Sequence, residues 1–236
     1  MKRTWPALLL AWIAGFVDAL GYLALSKVFT AHMSGNSAAV GAELGLGNWH
    51  EAMVRGLAIP GFVAGVAVGT VGEALSRAGR LRVRLAPVAL ELALLICFVV
   101  LEQASSGARV PVGSLAYFCR VWLLAVAMGV QAATLRRAGR LRVRTTFISG
   151  MLTNMTANAV LWVMQRRGSR RALPARKAFG GQAALFGSIF VAFLAGGVCG
   201  GFGEVRWGSI ALLVPAAGLA ALIAMDWVRP FHGATG

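Results

Sequence analysis

Acidic side chains are scarce in this sequence: aspartate and glutamate together number 8, against 23 lysines and arginines, and charged residues make up only 13% of the 236. A soluble domain carries about 25% charged residues, so an ordinary solvated surface is excluded. Histidine and cysteine are equally sparse, with three of each. His32, His50 and His232 are scattered, and Cys97, Cys119 and Cys199 sit in apolar runs without CxxC spacing. Neither a metal site, a cofactor site nor a disulfide framework is therefore expected.

What is present is apolar. Hydrophobic residues reach 58% of the chain and glycine occurs 30 times, with a mean hydropathy of +0.73. Long apolar segments fall at Pro6–Leu25, Ala52–Leu75, Leu85–Ala104, Val112–Leu135, Ala178–Phe202 and Ser209–Trp227. Each has the roughly 20 residues that a helix needs to cross a bilayer. Two further segments, Phe29–Leu46 and Thr145–Met164, are shorter or more polar. Met1-Lys2-Arg3 before an apolar run invites a signal-peptide reading. The run continues past Asp18 without a convincing cleavage site, so the first span is expected to be retained.

The octapeptide RAGRLRVR occurs at Arg77–Arg84 and again at Arg137–Arg144. A net charge of +15 would point to nucleic acid in a soluble protein. Here the arginines lie in short blocks between apolar runs, without an aromatic-interleaved platform, and no nucleic-acid partner is expected. If six segments span, the two short ones dip and return, and the N-terminus is inside, then 18 of the 23 basic residues are cytoplasmic. This obeys the positive-inside rule. The Arg-rich loops then meet anionic headgroups of the bilayer, with both termini cytoplasmic.

The two halves of the chain echo each other. TAHMSGN at Thr30–Asn36 matches TTFISGM at Thr145–Met151, and FVAGVAVGTVGE at Phe62–Glu73 matches FLAGGVCGGFGE at Phe193–Glu204. Val17-Asp18-Ala19 pairs with Val130-Gln131-Ala132. The expected architecture is an all-α integral membrane protein, a single membrane domain over 1–236. Two tandem repeats, 1–106 and 107–236, are inverted because each has an odd number of full spans. Six transmembrane helices are joined by two broken or re-entrant segments.

Asp18 is the sharpest functional candidate, since a carboxylate deep in a span is costly unless partnered or wetted. Polar and turn-forming residues of the two broken segments join it: Thr30, His32, Ser34, Gly35 and Asn36, then Thr145, Thr146, Ser149, Gly150 and Asn154. Gln131 is expected as Asp18's counterpart. Ser34-Gly35-Asn36 and Ser149-Gly150 have suitable cap and turn chemistry for helix breaks. Glu91 and Arg120 lie within spans and are secondary candidates that could pair across helices. Stripes of small residues, Gly61, Gly65 and Gly69 ending in Glu73, and Gly196 and Gly200 ending in Glu204, suit close helix packing.

GFVDALGYLAL (Gly15–Leu25), TAHMSGN, and GVQAATLRR with LRVRTTFISGMLTN (within Gly129–Asn154) resemble the YoaK-like family of bacterial multi-pass membrane proteins. The resemblance covers nearly the whole chain. It implies a bacterial inner-membrane protein and adds weight to Asp18, Thr30, His32, Ser34, Gly35, Asn36, Gln131, Thr145, Thr146 and Gly150, but supplies no substrate. The function expected is passage of an unidentified small solute or ion, without catalysis. A lipid-directed membrane enzyme and a non-transport scaffold are the alternatives, and a homo-oligomer is compatible with either.

Overall fold

The structure is a computed structural model that describes residues 4–78, 85–105, 110–135, 148–165 and 173–228. Among these residues every regular element is helical. The order is α1 (Trp5–Ala24), α2 (Met33–Gly45), α3 (Trp49–Gly56), α4 (Ala58–Arg77), α5 (Ala86–Ala104), α6 (Leu115–Leu135), α7 (Ile148–Met164), α8 (Leu173–Trp207), a 3-10 turn at Gly208–Leu212, and α9 (Leu213–Val228). Five apolar stretches are long enough to cross a membrane. The last, Lys177–Trp227, runs for 51 residues and holds both α8 and α9. Gly208, at φ +60°, breaks it, a backbone region that glycine enters without a Cβ clash. The six expected long segments thus fall on α1, α3 with α4, α5, α6, α8 and α9.

Large apolar side chains face outward along these helices, among them Val63, Val71, Val100, Val191, Val198 and Phe202. In water such a surface would aggregate; against lipid it is the expected exterior. The protein is a membrane protein built of transmembrane helices.

Two seams hold the bundle together. A Cβ on Gly196 would lie 1.9 Å from the Trp12 carbonyl oxygen, one on Gly200 2.1 Å from that of Phe16, and one on Gly15 2.0 Å from that of Phe193. Numbers rise together along both helices, so α1 and α8 are parallel, with their backbones in contact. The second seam joins α4 and α6 in the same way. There Gly65 approaches the Val126 carbonyl at 2.2 Å, and Gly129 that of Phe62 at 2.2 Å. Gly69 lies against Val130 and Ala133, and Gly61 against Ala125. Lipid tails are as apolar as leucine, so helices gain little by hiding leucine from them; close backbone approach supplies the attraction instead.

The short segments pack beside the ends of the longer helices. Arg55, on α3, donates to the Lys27 carbonyl at 3.1 Å and pairs with Glu43 at 3.4 Å. The end of α2 therefore lies level with the turn that leaves α1. On the other side Met151 packs with Ala11 and Ile189, Met155 touches Gly187, and Trp162 lies on Gly180. So α7 begins deep beside α1 and α8 and runs antiparallel to α8 toward the end where α8 starts. The second RAGRLRVR copy, residues 79–84 of the first, and the basic run 166–172 lie outside the described residues, as do Thr145 and Thr146.

Gly196→Ala is expected to destabilise the protein by about 1–3 kcal/mol, because the methyl group meets backbone and cannot be absorbed by a rotamer change. Gly41 has nothing within 4 Å of a Cβ, so Gly41→Ala should leave stability unchanged or raise it by up to about 1 kcal/mol through helix propensity. Thermal unfolding of the two variants in the same micelles checks both signs.

Candidate functional site

The sequence TAHMSGN makes α1 and α2 meet at a short stretch of non-helical chain. Backbone amides inside a bilayer must find partners within the protein, and the stretch 29–32 has no helix ladder to provide them. Asp18 does so from α1. Its Oδ1 accepts from the Thr30 amide at 2.8 Å, the Ala31 amide at 2.7 Å and the Thr30 hydroxyl at 3.3 Å. Its Oδ2 lies 2.6 Å from His32 Nδ1. Asn36 closes the other side: its Nδ2 donates to the Phe29 carbonyl at 2.7 Å, and the Phe29 amide donates to its Oδ1 at 3.0 Å. Gly21 permits the approach, since a Cβ there would lie 2.6 Å from Thr30 Cγ2.

The turn before this stretch holds Ser26 and Lys27 at φ 49° and 65°, left-handed conformations that cost non-glycine residues about 1–2 kcal/mol each. Tyr117 donates its hydroxyl to the Leu25 carbonyl at 2.9 Å and Arg55 holds the Lys27 carbonyl at 3.1 Å. Both α6 and α3 therefore pin the turn.

A cavity of about 500 Å³ opens beside this knot, lined by Asp18, His32, Ser34 and Gly35, by Tyr22, Phe29 and Phe193, and by the small residues of α1 and α8. The rings form a chain: Tyr22 stacks on Phe29 at 4.5 Å between centroids, Phe29 meets His32 at 5.7 Å, and His32 meets Phe193 edge-on at 5.5 Å. Asp18 is only 4% exposed and its oxygens are occupied. His32 is half-exposed, and with Nδ1 committed to Asp18 its Nε2 is the ring nitrogen left for a ligand.

Several expectations need correction. Ser34 and Asn36 do not cap α2: His32 occupies the cap position, without a side-chain bond to the helix. Ser34 lies in the first turn and Asn36 is buried, its amide spent on Phe29. Gln131 is not the packing counterpart of Asp18. Matched backbone contacts relate Gly15 to Gly129, Trp12 to Val126 and Phe16 to Val130, which sets Asp18 against Ala132. Gln131 instead donates to the Leu10 carbonyl at 3.2 Å, and its Oε1 has no partner. Arg120 pairs with Glu102 and Ser105, not with Glu91.

Of the α7 residues, Ser149 and Asn154 are exposed and Gly150 half-buried; none lines the cavity. Glu73 and Glu204 end their glycine stripes on α4 and α8, Glu204 with a buried, partnerless Oε2. Sequence reasoning missed Tyr22, Phe29 and Phe193. Phe193 carried a signal, as the first residue of the repeated FLAGG motif.

This is an α-helical transmembrane protein whose second helix follows a non-helical stretch knotted to a carboxylate in the first. The chain belongs to the family described as "Protein of unknown function (DUF1275)", which it matches over residues 6–225. It is 33% identical over 149 residues to the UPF0700 transmembrane protein YoaK of Bacillus subtilis (strain 168), an alignment covering 62% of this chain and 63% of that protein. The aligned part is thus less than two thirds of that relative's length. No solved structure matches.

Asn36→Ala should cost about 1–3 kcal/mol, since both polar groups of the Phe29 backbone lose their partner where water does not replace it. Asn36→Asp, which still accepts from the Phe29 amide but faces its carbonyl with a carboxylate, should also destabilise. Denaturation in micelles checks both. Nitrogen NMR of labelled histidine should find His32 carrying a proton on Nδ1, and Asp18→Asn should shift that resonance.

Proposed function

We propose that this protein passes a small solute or ion across the bacterial inner membrane through a site built on the Asp18–His32 pair. The observation that carries the reading is the cavity at the broken helix: a pocket about as large as a small-molecule site, with an ionisable pair at its base. The first-turn amides of α2 and the Ser34 hydroxyl are donors, joined by His32 Nε2 when the imidazole is doubly protonated, and they are favoured partners for an acceptor group at a helix N-terminus. The aromatic rings suit an apolar body. Asp18 then acts through His32: it orients the imidazole and balances its charge when protonated.

The architecture in the membrane belongs to the same proposal. We read six spans with α2 and α7 re-entrant from opposite faces, and two inverted repeats whose opening helices, α1 and α6, each pack on the FxAG helix of the other half. Parallel packing of α1 with α8 and of α4 with α6 supports a topology in which the two short segments behave alike. The termini and arginine-rich loops are cytoplasmic, against anionic headgroups, and no catalysis is assigned.

One contact favours a second reading. A carboxylate on Nδ1 of a histidine is how a serine hydrolase orients its base, and Ser34 lines the same cavity. Among the described residues, however, Ser34 Oγ makes no hydrogen bond to His32, and transport is the better-supported reading.

Single cysteines test the transport reading in a background with Cys97, Cys119 and Cys199 replaced. Ser34→Cys should react with a membrane-impermeant thiol reagent from outside, and Ser149→Cys from the cytoplasmic side in inverted vesicles. Failure of both, with terminal control cysteines labelled, would remove the water-filled pathway and end the transport reading.

A further inference from the structure

Glu91 lies within α5 at 0% exposure. Among the described residues neither carboxyl oxygen has a hydrogen-bond partner. Its neighbours on the helix face, Val88 and Leu95, belong to the main apolar cluster with Leu124, Met128 and Leu222. Two other buried ionisable groups are held: Asp18 by three backbone and side-chain donors and a histidine, Arg120 by Glu102 and Ser105. Among the described residues Glu91 is the carboxylate with both oxygens buried and unpartnered, and an unpartnered ion in such a place costs far more than the neutral acid.

Among the described side chains, those on the helices packed against α5 offer no counter-ion nearby. On α6 the one cation is Arg120, which is bound to Glu102 and stands about three turns, roughly 16 Å, further along the helix pair. Described charged side chains on α4 and α9 are Glu73 and Asp226, both acidic, and the 3-10 turn has none. The antiparallel register that sets Arg120 beside Glu102 and Ser105 brings the Gln131 level of α6 opposite Glu91. Gln131 Oε1 is also buried and partnerless, and an acceptor there suits a carboxylic acid O–H, not a carboxylate.

We propose that Glu91 is a proton-binding site: the carboxyl carries a proton in this conformation and releases it when α5 and α6 part. Glu91 stands about 8 Å along α5 from the first residue of that helix, so a modest separation at that end wets the group from the cytoplasmic side of the proposed topology. The ligand is the proton itself. The assignment rests on the burial of Glu91 and does not depend on the cavity at Asp18.

Infrared spectroscopy of the full chain in lipid vesicles tests it. At neutral pH the wild type should show the carbonyl stretch of a protonated carboxylic acid in a dry setting, and the near-isosteric Glu91→Gln should lose that band. Labelling glutamate with carboxyl carbon-13 should shift it without altering any side chain, which keeps the test open if Glu91→Gln misfolds. Raising the pH should remove the band reversibly. A wild-type spectrum without the band, a band retained in Glu91→Gln, or one that ignores the glutamate label overturns the assignment. A band indifferent to pH overturns the release step. A band that emerges only when sodium is withdrawn assigns the site to a metal cation, and the proposal fails.

Discussion

Backbone groups in a bilayer have no water to fall back on, and the stretch between α1 and α2 is where this protein meets that constraint without a helix. Asp18 and Asn36 do the work of an absent hydrogen-bond ladder, taking the amides of Phe29, Thr30 and Ala31 and the carbonyl of Phe29. The rest of the site is arranged around that solution. Gly21 lets the stretch come close, and Tyr117 and Arg55 hold the turn that feeds it. His32 is delivered to the cavity because its neighbours are fixed.

Asp18 therefore has two jobs that substitution alone will not separate. It is a structural acceptor for the chain and the partner of an ionisable ring. Hydrogen bonds to a charged acceptor contribute about 1.5–3 kcal/mol each, so its loss threatens the fold of the break before it bears on function. His32, with one ring nitrogen on Asp18 and the other directed by exclusion to the cavity, is the cleaner probe of function.

Much of the fold was legible in the residues. Apolar run lengths located the transmembrane helices within a few positions, and the glycine stripes foretold where backbones touch. The polar cluster around TAHMSGN marked the break, and its pairing with Asp18 brings Thr30 and His32 together as one unit. What was not legible was register. Val17-Asp18-Ala19 and Val130-Gln131-Ala132 look alike as letters, yet the glycine contacts relate the helices one residue differently, because packing is set by which face meets the partner and not by which side chains share a type. The caps failed for a related reason: serine and asparagine favour helix starts locally, but α2 begins at Met33, which leaves Ser34 and Asn36 inside the helix, not before it. Phe193 joined the cavity from the other half of the chain, a distance that no local pattern reports.

The seams carry a consequence for how such a chain is assembled. Opening helix α1 lies against α8, and opening helix α6 against α4, so each half lends the other the glycine-rich surface it needs. A protein cut between α5 and α6 would yield two fragments whose closest backbone contacts all belong to the missing piece. Neither half is a miniature of the whole, and insertion of the first five helices leaves an unfinished object in the membrane until the last third of the chain arrives to clasp it.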